Sequence, residues 1–174
     1  MGLFGCIIIV QVEQSGENGN EVSRSGGKTA MFMGEFNHSI DPKNRVIVPA
    51  KFREGLGENF VVSAGLDGCL YMWTFADWEK FVIQLEELPF TRETRELQRF
   101  FSQNSSELEF DKQGRVLIPA KLKELAAIDK DVVFVGAIGK IELWAKERLD
   151  GVAPSAPMED IAEKLATEYG LRFK

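Results

Sequence analysis

Two short apolar runs, Val46-Ile47-Val48 and Val116-Leu117-Ile118, each follow a polar segment and precede a proline. Unbroken apolar runs of this length predict strands buried on both faces. Pro49 and Pro119 end each ladder and are expected as first residues of short helices, over 49–54 and 119–127. Phe60-Val61-Val62 and Val132-Val133-Phe134-Val135 are β-rich. The glycine-bounded segments 65–68 and 136–139 then read as turns, with 70–73 and 141–144 returning as hairpin partners. Trp73 and Trp144 are expected to fill the core at equivalent places. Trp78, Phe81, Val82 and Leu85 recur at i, i+3, i+4 and i+7 and predict a helix over 77–88, ended by Pro89. Thr91 suits the cap of a second helix over 92–103, with Leu97, Phe100 and Phe101 on its buried side. After a linker-like stretch at 150–157, Met158, Ile161, Ala162, Leu165, Ala166 and Tyr169 form one apolar stripe ahead of Gly170, the pattern of an amphipathic tail helix.

These elements repeat. Residues 40–54 align with residues 110–124 at an offset of 70, with Asp, Arg, Val, Pro, Ala, Lys and Glu recurring identically. Gly68–Trp73 matches Gly139–Trp144 at an offset of 71. A duplicated unit follows, and two copies favour a pseudo-two-fold pair sharing one core over an open solenoid. Each copy opens on turn chemistry. Asp41-Pro42-Lys43-Asn44 reads as a type I turn, with Asp in first place and Pro presetting φ in second. Asn44 and Gly114 share the fourth place, where a type I turn followed by a bulge requires positive φ. Each segment is therefore read as a tight hairpin loop. Arg45 and Arg115 open the returning strands.

Composition narrows the function. The 174 residues are 44% apolar and 28% charged, with thirteen Phe and three Trp, the profile of a globular protein with a core. Two cysteines, Cys6 and Cys69, fit a reducing cytosol and exclude a disulfide framework. One histidine, His38, disfavours a Ser-His-Asp hydrolase or a multi-His metal centre. No window approaches the ~20 apolar residues of a membrane span. The net charge is −6, but its distribution is uneven. Residues 36–53 carry +3 and residues 111–124 carry +2, whereas residues 54–110 carry −7. Two basic islands in an acidic body favour a defined docking face for a polyanion over non-specific coating.

Residues 1–30 differ in character. An apolar run is followed by a Gly/Ser/Asn-rich stretch, with no Lys or Arg ahead of the run and no A-x-A site after it. Leu3-Phe4-Gly5-Cys6 resembles a lipoprotein box only superficially. The expectation is a natural start at Met31 or Met33, because codons for Gly26-Gly27-Lys28 suit a purine-rich ribosome-binding sequence. Residues 1–30 would then be a non-native or disordered leader, a reading that the intact mass of protein made from the native gene tests.

Two mirrored loops, each presenting an Arg beside another base, suit phosphate and base-edge contacts, since Arg grips a phosphate or guanine O6/N7 in bidentate fashion. Paired strands can enter a major groove. The rival reading is that Asp41–Arg45 and Asp111–Arg115 simply bridge their own turns. The two coexist if Asp holds the loop while Arg points outward.

The segment Met31-Phe32-Met33-Gly34-Glu35-Phe36-Asn37-His38-Ser39-Ile40-Asp41, running into Arg45–Glu54, closely resembles the start of the MraZ family. These are bacterial transcriptional regulators of the division and cell wall gene cluster. The second copy and the Trp-ending blocks match as well, so the resemblance covers roughly Met31 to Leu171. It implies an α+β fold, mainly β with packed helices, in which two AbrB-like repeats form a pseudo-two-fold double-split β-barrel. The implied organisation is repeat 1 at 31–81, a helical connector at 82–104, repeat 2 at 105–152 and a C-terminal amphipathic helix at 153–174. It implies repression through short direct repeats of double-stranded DNA in the promoter of its own cluster, by ring-shaped homo-oligomers, cytoplasmic and nucleoid-associated. By the same carry-over, Arg45 and Arg115 are the best DNA contacts and Lys43 and Lys112 come next. His38, Lys51, Arg53, Lys121 and Lys123 are weaker candidates, while Asp41, Asn44, Asp111 and Gly114 shape the loops. Pro42 and Asn44 depart from the usual small turn residue and Gly, which predicts a stiffer first loop.

Two other classes compete. The same fold can serve as an oligomeric scaffold or antitoxin-like partner binder, although the helical, amphipathic tail differs from a disordered toxin-binding tail. An enzyme is disfavoured, because no phosphate loop, nucleophile–base pair or metal constellation is present. The neighbours Glu86 and Glu87 face different ways on a helix. No catalytic residue, metal or cofactor is expected.

Overall fold

The computed structural model describes residues 30–172; residues 1–29, including Cys6 and nearly all of the expected leader, lie outside the described residues. Each repeat contributes the same order of elements. Repeat 1 supplies β1 (Glu35–Ser39), β2 (Arg45–Ile47), α1 (Ala50–Leu56), β3 (Asn59–Ala64) and β4 (Leu70–Thr74). Helices α2 (Phe75–Glu87) and α3 (Arg92–Gln103) follow. Repeat 2 then supplies β5 (Ser105–Glu109), β6 (Arg115–Leu117), α4 (Ala120–Leu125), β7 (Asp131–Gly136) and β8 (Ile141–Ala145). The chain ends in α5 (Lys146–Asp150) and α6 (Met158–Tyr169).

The repeats interlock. Six strands form an open antiparallel sheet in the order β1-β7-β8-β4-β3-β5, and β2 pairs with β6 in a separate two-stranded ribbon. The first strand of each repeat thus pairs with the third strand of the other: β1 with β7, β5 with β3. The second strands pair with each other across the pseudo-two-fold. This is the expected α+β arrangement of two AbrB-like repeats, a split barrel with the ribbon lying over the six-stranded sheet.

The exchange corrects the hairpin reading. Each tight turn closes as expected, with the Asn44 N–H donating to Asp41 O at 2.9 Å and the Asp41 N–H to Arg45 O at 2.8 Å. Beyond that one closure the flanking strands part to different partners, because pairing with the other repeat buries more apolar surface than a short local hairpin. The strands buried on both faces are corrected too. Val46 and Val116 are buried at 1%, but Ile47 and Leu117 stand 49% and 57% exposed. A lone two-stranded ribbon covers the core with one face and leaves the other to solvent, so its residues alternate.

The main core lies between the ribbon, α1, α4 and one face of the sheet. Val46, Val48, Val116 and Ile118 meet Phe52, Phe60, Leu70, Met72, Phe134, Ile141 and Leu143 there. Trp73 and Trp144 are not part of it. Strand alternation turns them to the opposite sheet face, into a smaller cluster with Cys69 and Tyr71. Trp144 is buried there, while Trp73 is half-buried and stacks on Phe81 at 5.3 Å. Burial pushes the Cys69 thiol up to about 12.

Pro49 and Pro119 cap α1 and α4 from just outside rather than opening them, each with extended ψ. The Pro49 carbonyl still accepts from the Arg53 N–H at 3.0 Å. Helix α2 begins at Phe75, earlier than expected, because Thr74 caps it by accepting from the Asp77 N–H. Thr91 caps α3 as the sequence suggests. In α6 the stripe stays largely uncovered: Met158, Leu165 and Tyr169 are 65%, 39% and 78% exposed. No helix among the described residues is long and apolar enough to cross a membrane.

Candidate nucleic-acid interface

The two turns are built by their aspartates. Asp41 Oδ1 accepts from the backbone N–H of Lys43 at 2.8 Å and of Arg45 at 2.9 Å. Its Oδ2 accepts from Arg45 Nε at 2.8 Å and Nη2 at 2.7 Å. Asp111 repeats the pattern. Oδ1 accepts from the backbone N–H groups of Gln113 and Arg115, both at 2.9 Å, and Oδ2 accepts from Arg115 Nε and Nη2, both at 2.7 Å. Four N–H donors on one carboxylate favour its charged form. The Arg45 side chain, then the Arg45 backbone N–H, holds Asp41 down at about 2. The Arg115 backbone N–H leads among the groups that lower Asp111.

These bonds do not consume the guanidiniums. Each has five N–H donors, and the aspartate takes two. Nη1 and one Nη2 proton remain on the distal edge, the edge that grips O6/N7 of guanine or two phosphate oxygens. Asp therefore fixes the arginine's direction, and the turn-bridge and outward-pointing readings describe one arrangement.

The ribbon sets the spacing. Arg45 lies opposite Leu117, Val46 opposite Val116 and Ile47 opposite Arg115. Opposed residues share a face, so Arg45, Ile47, Arg115 and Leu117 all stand on the outer one. Strand separation and rise put the two arginine Cα positions about 8 Å apart. The turns also lock onto the ribbon: Asn44 O accepts from the Ile118 N–H at 2.8 Å and Gly114 O from the Val48 N–H at 3.1 Å. Asn44 (φ 58°) and Gly114 (φ 72°) both take the left-handed conformation that the turn requires.

The remaining candidates fall into separate places. Lys43 and Lys112 are exposed on the turns. Lys51 Nζ donates to Met33 O at 3.3 Å and Lys121 Nζ to Gln103 O at 2.8 Å. These are equivalent ties, each from a short helix to the chain entering its repeat's first strand. Arg53 packs against loop 2, where a Cβ built on Gly114 would fall on the Arg53 guanidinium. Its buried Nε has no hydrogen-bond partner among the described residues. Lys123, the equivalent residue of α4, is half-buried. His38 sits on the core side of β1, edge-on to Phe134 at 5.6 Å, and burial lowers its pKa. Its equivalent in repeat 2 is Leu108, which also packs against the core.

An open groove of about 720 Å³ runs beside the ribbon on the β5 side, lined by Arg45, Arg115 and Leu117 but also by Glu107, Glu109 and Asp111. The β1 positions equivalent to the two glutamates are Asn37 and Ser39, with Asp131 opposite Ser39, so the β5 flank is the more acidic of the two. Sequence reading missed this flank, and it missed Ile47 and Leu117 as outward residues. The apolar triplets themselves carry no alternation that would reveal this. Among the described residues no group of three or more His, Cys, Asp or Glu is placed to hold a metal ion.

Comparison with known proteins agrees with the two-repeat reading. A family model described as "MraZ protein, putative antitoxin-like" matches twice, at residues 31–101 and 100–167. A protein of Lachnoclostridium phytofermentans named transcriptional regulator MraZ is 52% identical over 143 residues, which is 82% of this chain and 100% of that protein. One of the same name from Heliobacterium modesticaldum is 50% identical over 140 residues, covering 78% of this chain and 96% of the relative. A third, from Pelotomaculum thermopropionicum, is 49% identical over 139 residues, covering 78% and 95%.

Proposed function

The chain belongs to the MraZ family of transcriptional regulators, and from that premise we propose that it is a sequence-specific DNA-binding repressor of its own division and cell wall gene cluster. It binds short direct repeats of double-stranded DNA in the promoter. The observation that carries this reading is the pair of Asp-braced guanidiniums on one ribbon face, each with its distal edge free. A two-stranded ribbon fits a major groove ~12 Å wide. Arg45 and Arg115 contact base edges or phosphates, with Lys43 and Lys112 on phosphates beside them. Arg53 packs behind loop 2, and Lys51, Lys121, Lys123 and His38 are weaker candidates for phosphate contact.

Self-association into a ring reconciles DNA binding with a net charge of −6. Several ribbons on one rim act together, and effective concentration multiplies weak contacts. Exposed apolar residues supply surface for such contacts, Phe75, Ile83, Leu88 and Phe90 around α2–α3 and the stripe of α6. DNA binding of this kind falls steeply with added salt, and it places the protein in the cytoplasm on the nucleoid.

The test is a gel shift with the DNA upstream of the protein's own gene, using wild type, Arg45→Ala and Arg115→Ala. Both substitutions weaken binding while circular dichroism and native mass stay unchanged. Unchanged binding in both variants removes the DNA role. Loss of folding in both assigns the arginines to the turn alone.

A further inference from the structure

The outer face of the β2–β6 ribbon carries four side chains, and only two are charged. Ile47 stands opposite Arg115 and Leu117 opposite Arg45, so each arginine has an aliphatic neighbour across the strand. Both aliphatics project into solvent, although the valines between them are fully buried on the other face. An isoleucine and a leucine held in water beside guanidiniums lose hydrophobic stabilisation unless a ligand covers them. We infer that Ile47 and Leu117 read DNA sequence by packing against thymine C5-methyl groups in the major groove, next to the base edges gripped by Arg115 and Arg45. This rests on the DNA-binding reading of the same ribbon.

Three observations favour DNA as the occupant. The aliphatics share their face with two guanidiniums whose distal edges are free, which suits a polyanion rather than a dry protein surface. Directly opposed residues lie about 5 Å apart, so each Arg–aliphatic pair spans one to two base-pair steps of ~3.4 Å. The thymine methyl is the apolar feature that the major groove offers. Two half-exposed side chains are also far too little for a protein interface, which needs ~800 Å² from each partner. The arrangement divides the reading: the arginine selects guanine through hydrogen bonds, and its aliphatic neighbour selects an adjacent thymine through packing.

The experiment uses the protein's own promoter duplex in two forms, one with thymine and one with uracil in its place. Uracil removes the methyl groups and keeps base pairing and charge. Binding is read by fluorescence anisotropy for wild type and for the Ile47→Ala/Leu117→Ala double variant, with native mass recorded for both. Wild type is expected to bind the uracil duplex about fourfold more weakly for each packed methyl group that is removed. The double variant should bind the thymine duplex about as weakly as wild type binds the uracil duplex, and should not respond to methyl removal. Equal wild-type affinity for the two duplexes overturns the inference while leaving the DNA reading intact. So does methyl sensitivity that survives in the double variant. A change in native mass on truncating the two side chains overturns it in favour of a contact between copies. Failure of wild type to bind either duplex ends both readings together.

Discussion

In loop 1 Asp41 holds Arg45, and in loop 2 Asp111 holds Arg115, through the same four hydrogen bonds within about 0.1 Å. What surrounds the two braces differs. Loop 1 takes its left-handed turn with Asn44, and the flanking β1 positions are Asn37 and Ser39. Loop 2 uses Gly114, lies against the Arg53 guanidinium and is flanked by Glu107 and Glu109. Turn chemistry is local and survives duplication as a unit. The neighbours come from the other repeat or from sheet edges, so the copies are free to diverge there without disturbing the brace.

The largest expected effect breaks the equivalence at the DNA. Removing one guanidinium–base pairing costs ~1–3 kcal/mol, roughly five- to 150-fold in affinity. Arg45→Ala is expected to cost more than Arg115→Ala, because the glutamates beside loop 2 already offset part of what Arg115 contributes. Anisotropy titrations of the two variants on one duplex decide it. An equal or larger loss for Arg115→Ala places the divergence of the repeats outside the DNA interface.

The next effect lies in stability. Asn tolerates positive φ, as Asn44 demonstrates, so Gly114→Asn should be mild on backbone grounds. Its Cβ would meet the Arg53 guanidinium, the end of a flexible side chain that must move aside, so the cost should fall near the low end of the ~1–3 kcal/mol of overpacking. Adding Arg53→Lys puts at this position the residue type of its equivalent, Lys123 of α4, and is expected to recover most of the loss. Asn44→Gly should change stability by less than ~1 kcal/mol. Urea unfolding midpoints of wild type and the three variants test the asymmetry, and a Gly114→Asn as mild as Asn44→Gly removes it.

Much of this molecule is legible in its sequence because its duplication exposes it. The offset of 70 identifies both turns, both arginines and the left-handed fourth position. Periodicity locates α2, α3 and α6, because helical spacing is a property of one segment. The partners of β1 and β5 are not legible, since strand exchange between repeats leaves no mark on the local pattern. The outward turn of Ile47 and Leu117 is hidden for the same reason. An apolar triplet reads as doubly buried until its only partner is known to be an equally short strand. Trp73 and Trp144 are read as core residues without a side, because hydrophobicity says that a residue is buried, and only parity along β4 and β8 says on which face.

A smaller effect concerns the acidic flank. Glu107→Gln with Glu109→Gln should tighten DNA binding a few-fold at low salt and bring the Arg115→Ala loss up to that of Arg45→Ala. Both glutamates are exposed, so the gain should fade as ionic strength rises. A gain that persists at high salt would make the effect one of shape rather than charge.

The finest distinction is in the carboxylates. Asp41 sits at about 2, below its ordinary 3.8, with the Arg45 side chain as the first cause. Asp111 is lowered with the Arg115 backbone N–H leading. A depressed folded-state pKa gives stability that is fully present above the unfolded value and lost as pH falls through the folded one. The difference in stability between wild type and Asp41→Asn should therefore be constant above about pH 4. It should shrink between 3.8 and about 2. Carbon-13 NMR titration of the two side-chain carboxyls reads the order directly. Because the Arg45 side chain leads at Asp41, Arg45→Ala should raise the Asp41 midpoint more than Arg115→Ala raises that of Asp111, where the leading donor is the backbone N–H and survives the substitution. Equal shifts would mean that the braces differ in surroundings alone and match in their own electrostatics.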